Sequence, residues 1–291
     1  KERTARPRIG GKAAAFAWEA ACWTTRIFAV ASAVLVIYVV LWLSFSDLSA
    51  VYIDGLLPRF ISLRPYATIL REEGILRYFF NTFLVAAATA LLIPVFTLPA
   101  ALALSRTTAR RSAKAFAFLQ ALGMTGGVHS LIPLFVLFRL LGLLGGYVPL
   151  VTVYIFHALP FSLFTLKAFL DRLPPSYEEE AALEGMKPLA YMLKIIAPLS
   201  APALAAAMMT AFISAWNGFL VPLVFLTDDR LYTIGVKLHG YVGSVASGNP
   251  KWNLFAAASV INLVFIALLL WRFKNPLTLN DAAYGEDENI T

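Results

Sequence analysis

Six stretches of this chain, roughly 27–46, 79–104, 113–132, 147–170, 201–225 and 253–273, are too long and too apolar to be ordinary surface elements. A helix needs about 20 consecutive apolar residues to cross the hydrocarbon core of a bilayer, and each stretch is near or above that length. The fold class that follows is an all-α integral membrane protein with six transmembrane helices. Composition agrees, with 59% hydrophobic and 14% charged residues and a mean hydropathy of +0.73. A soluble domain is about 45–50% apolar and about 25% charged. The third and fourth stretches have the least definite limits, because Gly123, Gly126, Gly127, Pro133, Gly142, Gly145 and Gly146 interrupt them. Residues 131–143 therefore read as a short re-entrant or interfacial helix. Pro94 and Pro99 predict a kinked second span.

Lysine and arginine set the orientation, since loops rich in them stay on the cytoplasmic side. With the N-terminal side taken as cytoplasmic, most of these residues fall inside, and the tight cluster Arg106, Arg110, Arg111 and Lys114 gives the clearest vote. Both termini are then expected inside. The basic segment Lys1 to Lys12 reads as a cytoplasmic, membrane-skimming tail rather than a secretory signal, because the first long apolar run starts only after Arg26 and no small-residue cleavage site follows it promptly. Phe16, Trp18 and Trp23 suit the membrane–water interface. The net charge of +7 is spread over loops and carries no nucleic-acid signature. Cys22 is the only cysteine, so no internal disulfide can form.

Catalytic chemistry finds little support. His129, His157 and His239 are the only histidines, and none has a neighbour at metal-ligand spacing; no metal site is expected. There is no Gly-x-Ser-x-Gly elbow. Gly10-Gly11-Lys12-Ala13 lacks the spacing and the hydroxyl of a phosphate loop. The spans contain no Asp or Glu in their interiors, which disfavours a carrier driven by protons or sodium. Their polar residues are Asn81, Gln120, His129, His157, Lys167, Asn217 and Asn262. Lys167 can snorkel to the cytoplasmic headgroups, and Asn217 can bridge helices. Alternatively His157, Arg139 and Asn217 line a path for a hydroxyl-rich or anionic solute.

One long polar insert lies between apolar stretches of the C-terminal half. Pro174-Pro175 ends the preceding helix. Ser176 is placed to cap a new one, with Glu179 completing a capping box. Gly185 suits a left-handed stop, and Pro188 the first turn of the next helix. So short a helix is marginal alone. Tyr177, Ala181 and Ala182 sit on roughly one face, surrounded by Glu178, Glu180 and Glu184. That reads either as a small acidic plug entering a partner's groove or as a solvated connector.

The same insert resembles the coupling-loop signature of ABC-importer permeases, Glu-Ala-Ala, then Gly, then Ile-x-Leu-Pro. Glu179, Ala181, Gly185, Ile195 and Pro198 match; Glu180 and Ala197 stand where Ala and Leu are usual. The resemblance implies that Ser176, Tyr177, Glu179, Ala181, Ala182, Gly185 and Pro198 form an ATPase-coupling element. Ala215-Trp216-Asn217-Gly218-Phe219 and Leu226-Thr227-Asp228-Asp229 are similar to the shorter six-span permease subunit of maltose-type carbohydrate importers, and the likeness extends over roughly residues 25–275. In that family the outer loop before the last span reaches the sugar-binding protein. Here it carries His239, Tyr241, Gly243 and Trp252, and reads either as a contact surface or as a flexible connector. The acidic ending from Asp281 to Glu288 departs from the family's glycine-rich tail.

The resemblance implies an inner-membrane permease subunit of an ATP-driven, binding-protein-dependent oligosaccharide importer in a bacterial plasma membrane. The solute is a neutral or an acidic sugar, such as an alginate-type uronide; glycerol phosphate is another solute class. A secondary carrier or a membrane scaffold is the reading from a different class. The implied partners are a cytoplasmic ATPase dimer holding ATP and Mg, a second permease in a heterodimer, a periplasmic or extracellular solute-binding protein, and the lipid bilayer. No cofactor is expected in this chain. Its expected parts are an N-terminal segment 1–26, a permease domain 27–273 containing the coupling loop 172–198, and a cytoplasmic tail 274–291.

Overall fold

A computed structural model describes residues 11–46, 61–124, 128–243 and 250–284. Among these residues the chain is helical, with no strand. Helix α1 runs Gly11–Ser44, α2 Arg64–Arg71, α3 Ile75–Ser105, α4 Ala109–Met124, α5 Val128–Leu140 and α6 Tyr147–Leu170. Then come α7 Ser176–Leu183, α8 Pro188–Tyr191, a π-helical turn Met192–Ile196, α9 Ala197–Leu199 and α10 Ala201–Asn217. Helices α11 Leu220–Phe225, α12 Ile234–Gly243 and α13 Trp252–Tyr284 complete the order.

Among the described residues, four helices are long and apolar enough to cross a membrane: α1, α3, α6 and the first part of α13; the bent pair Pro188–Leu199 and Ala201–Asn217 would add a fifth. The expected span at 113–132 falls on α4 and α5, and residues 125–127 between them lie outside the described residues. Helix α5 is the short helix expected near 131–143. Helix α3 runs unbroken through Pro94 and Pro99. Helix α13 continues past the expected tail boundary at 274 to Tyr284.

The centre of the bundle is α3, α6 and α10 packed on one another. On α10, Ala203, Ala207, Ala211 and Ala215 recur every fourth residue and are all buried, which lets neighbouring backbones approach closely. On α3 the buried stripe includes Thr82, Thr89 and Thr97. Each hydroxyl donates back to the carbonyl four residues earlier, Tyr78, Val85 and Ile93, so these polar groups enter an apolar core satisfied. The outward faces carry large apolar side chains such as Phe80, Leu91, Val95, Phe156 and Phe164, as lipid contact requires. Helix α1 packs on α13 and leaves most of its side chains exposed. Trp18 and Trp23 lie in α1, with Arg26 over the Trp23 ring; the side chain of Phe16 lies outside the described residues.

Candidate coupling and solute-facing sites

At one end of the bundle, α6 stops at Leu170, where Lys167 pairs with Asp171 one turn on. Helix α7 then begins at Ser176, but Ser176 is not its cap. The preceding Pro175 already has helical angles, φ −62 and ψ −18, and no side-chain cap bond forms. A capping residue needs extended angles, so Ser176 is carried into the first turn and the expected capping box with Glu179 is absent. The Pro175 carbonyl accepts from the amides of Glu178 and Glu179 at 3.0 and 3.2 Å instead. Those two glutamates also place negative charge at the positive end of the helix dipole.

The other end is as expected. Gly185 has φ +70, a left-handed conformation open to glycine at no steric cost. The Gly185 amide donates to Ala182 O at 3.0 Å and the Met186 amide to Ala181 O at 2.9 Å. This is the Schellman pattern, which satisfies carbonyls that a helix end otherwise leaves bare. Pro188 opens α8 with Lys187 extended before it. Four residues before Pro198 the helix ladder widens: the Ala197 amide reaches back to Met192 O. Proline cannot donate and its ring crowds the carbonyl of residue i−4, so the turn before it loosens into π geometry.

The faces of α7 differ from the plug read in the sequence. Ala181 is 5% exposed and joins a buried cluster with Leu98, Leu166, Leu170, Tyr191 and Ile196. It faces the bundle rather than a partner. Ser176, Tyr177, Glu178, Glu179, Glu180, Ala182, Leu183 and Glu184 are exposed, Leu183 most of all among the large apolar residues at 88%. One contact was not foreseen. Arg106, just past the end of α3, places its Nε 2.8 Å from a Glu178 carboxylate oxygen and ties α7 to the loop before α4. Opposite charge in the Arg106–Lys114 cluster and in α7 was the available signal.

The three residues suggested for a solute path, Arg139 on α5, His157 on α6 and Asn217 at the end of α10, are exposed on three separate elements. The side chains of Gln120 and His129 lie outside the described residues. The structure does bring Asn217 and His239 to one neighbourhood. Helix α10 breaks after Asn217, and a Cβ at Gly218 would fall 2.0 Å from the Tyr154 hydroxyl oxygen. Gly235 of α12 lies equally close to the break, its Cβ position 2.9 Å from Phe219 Cβ and 3.2 Å from Gly218 O. The His239 ring is 5.3 Å from that of Phe219. Helix α12 is thus seated directly on the α10–α11 break. Behind it, Trp216 donates to Asn262 at 2.9 Å and stacks on Phe265 with centroids 4.6 Å apart. Asn262, rather than Asn217, bridges these helices.

The loop before the last long helix is anchored rather than a flexible connector over its described part. Asn81 donates to Arg230 O and Tyr232 O at 2.9 and 3.0 Å, and the Ile234 amide donates to Thr82 Oγ1 at 2.8 Å. Tyr78 donates to Asp229 at 3.2 Å. Glu73, between α2 and α3, binds Lys237 at 2.7 Å and Lys251 at 3.5 Å. Burial pushes the Glu73 carboxyl up, but the hydrogen bond and charge of Lys237, with Lys251, outweigh this and leave it below its ordinary range. The Lys237 ammonium also lies over the Tyr78 and Tyr241 rings, 5.1 and 5.5 Å from their centroids.

Of the four residues suggested for the binding-protein loop, His239 and Gly243 are exposed. Trp252 is half-buried. Tyr241 is 4% exposed and belongs to a core with Ile69, Ile75, Tyr78, Ile234 and Leu254, so it cannot face a partner in this arrangement. Its place three residues from Leu238 and seven from Ile234, on the inner face of a helix, is what withdraws it. The Gly/Ser-rich tip at 244–249 and the loop at 47–60 lie outside the described residues.

Comparison with known proteins agrees with this geometry. The profile of the family described as "Binding-protein-dependent transport system inner membrane component" matches residues 115–274. The sulfoquinovosyl glycerol transport system permease protein SmoH of Agrobacterium fabrum is 28% identical over 78% of this chain and 79% of its own length. The trehalose/maltose transport system permease protein MalG of Thermococcus litoralis is 32% identical over 67% of this chain and 71% of its own. Among solved structures, a chain of a bacterial ABC transporter involved in the import of the acidic polysaccharide alginate superposes with a TM-score of 0.72 at 23% identity, covering 92% of this chain and 98% of that one. That likeness shows the permease fold of this transporter type. The chain belongs to the family of inner-membrane components of binding-protein-dependent transport systems, a multi-pass permease.

Proposed function

We propose that this chain is the six-span permease subunit of an ATP-driven carbohydrate importer, with both termini in the cytoplasm. The observation that carries the reading is α7: a short helix held by one buried alanine, a Schellman stop and the Glu178–Arg106 pair, with every other side chain turned outward. A helix of this length does not persist unsupported. Here its support comes from the bundle, while Tyr177, Leu183, Glu179, Glu180 and Glu184 are left for a partner. That partner is a separate cytoplasmic ATPase dimer, which holds ATP and Mg. A second permease completes the path, and a solute-binding protein docks on the outer side at α12.

The transmission follows from packing. Displacement of α7 acts through Ala181 on the cluster shared by α3, α6 and α10. Close-packed interiors pass on such shifts rather than absorb them. At the other end of the bundle, α12 rests on the α10–α11 break, so docking outside and movement inside meet at Asn217. The carbohydrate class is supported by the sugar transport named for SmoH and MalG and by the alginate importer's likeness.

The test is ATP hydrolysis by the reconstituted complex of this chain with its co-purifying partners. Glu179→Ala and Gly185→Val should both abolish stimulation by binding protein and sugar, the second by straining the left-handed stop. A panel of neutral oligosaccharides, acidic oligosaccharides and glycerol phosphate then sorts the solute class. If no ATPase accompanies the chain, or both variants are stimulated like wild type, α7 is only a connector.

A further inference from the structure

Immediately after α7 the chain changes character. Residues 176–185 hold Glu178, Glu179, Glu180 and Glu184 and no basic residue; residues 186–199 hold Lys187 and Lys194 and no acidic one. The second segment, Pro188–Leu199, meets α10 at 82°. Helix α10 is about 25 Å long, and the proposed function takes it across the bilayer together with the residues that follow it. Pro188–Leu199 is about 18 Å long, too short to cross, and its near-right angle to α10 lays it along the membrane surface.

Its side chains sort accordingly. Tyr191 and Ile196 are buried against the bundle at 5% and 0%. Leu189 and Leu193, one turn apart and on one face, are 64% and 56% exposed. Lys187 and Lys194, two turns apart, are exposed on a second stripe, and neither has an acidic partner among the described residues. Two exposed leucines beside two lysines without an acidic partner among the described residues, on a segment joined directly to α10, match what an anionic lipid surface binds: apolar side chains at the headgroup–acyl boundary and ammonium groups among phosphates. The charge reversal separates the two contacts, because an anionic surface attracts this segment and repels α7.

We propose that Pro188–Leu199 is a lipid-bound bearing, with Leu189 and Leu193 in the inner-leaflet interface and Lys187 and Lys194 on anionic headgroups. It holds the root of α7 at a fixed depth while α7 moves. The inference concerns a different face from the ATPase contact and rests on the proposed function for the side of the membrane on which this segment lies.

The test uses the assembled complex in lipid nanodiscs, on a Cys22→Ser background with Leu193→Cys carrying a bimane fluorophore. A doxyl label near the top of the acyl chain should quench the fluorophore several-fold more than a water-soluble nickel chelate does. Leu189→Cys, labelled likewise, provides a second position. Headgroup-labelled phosphatidylglycerol should quench more than headgroup-labelled phosphatidylcholine, and that preference should fall about five-fold for each of Lys187→Gln and Lys194→Gln. Stronger quenching by the chelate would mean exposure to water. Protection from both quenchers would mean cover by protein. Either result, or equal quenching by the two headgroup labels, overturns the proposal.

Discussion

Gly218 is where the packing of this bundle can be tested most sharply. Its backbone is ordinary, φ −67 and ψ 126, so alanine would incur no conformational strain there. Sterics alone oppose it: the added Cβ would lie 2.0 Å from the Tyr154 hydroxyl oxygen, 2.6 Å from Cζ and 2.8 Å from Cε1. Contacts under 3.0 Å require something to move. Tyr154 is 5% exposed in the core where α6 meets α10 and α11, so its ring cannot swing aside freely. Overpacking of this kind costs about 1–3 kcal/mol, and three overlaps on one rigid ring place Gly218→Ala near the upper end. Gly240→Ala, in α12, is the control: nothing lies within 4 Å of its Cβ, and replacing a helical glycine should stabilise by about 0.5–1 kcal/mol. The Tyr154 hydroxyl has no hydrogen-bond partner among the described residues. Tyr154→Phe should therefore be close to neutral, and in its background Gly218→Ala should recover part but not all of the loss, because the Cζ and Cε1 overlaps remain. SDS titration in mixed micelles, followed by circular dichroism, would give the four stabilities. Gly218→Ala as stable as wild type, or no coupling between the two sites, would refute the account of the α10–α11 break.

Two further outcomes are expected. Because the Glu73 carboxyl titrates below its ordinary 4.5, its contribution to seating α12 is fully present above pH 4.5 and is lost as the pH falls through the lower folded value. Hydrogen exchange in 234–243, corrected for intrinsic rates, should stay slow from pH 7 to 5 and accelerate in stronger acid, and Glu73→Gln should remove that dependence. Trp216→Phe keeps the ring stack on Phe265 but deletes the donor to Asn262. It should cost about 1 kcal/mol in the same titration, in line with interhelical hydrogen bonds in bilayers, and Asn262→Leu in that background should return part of the loss.

Some of this protein was legible in the linear chain. The left-handed stop at Gly185 and the start of α8 at Pro188 follow from backbone preferences that depend on one or two residues. Ser176 misled because Pro175 adopted helical angles and so carried the helix start one residue back. Ala181 and Tyr241 looked available because a residue's face on a short helix depends on which neighbour covers it. The Glu178–Arg106 pair and the Glu73 clamp join residues about 70 to 180 positions apart, the seat of α12 on Gly218 joins two helices across a reversal of the chain, and no periodicity encodes such pairings.

The sequence by itself determined the membrane class, the positions of the long helices and the family signature of the acidic insert. These rest on solvent transfer and local backbone chemistry, which act residue by residue. Only the tertiary structure decided which side chains of α7 remain free, where the fifth apolar stretch bends, and how α12 meets the break at Asn217. Those depend on which surfaces the bundle buries, and burial is a property of neighbours brought together by folding.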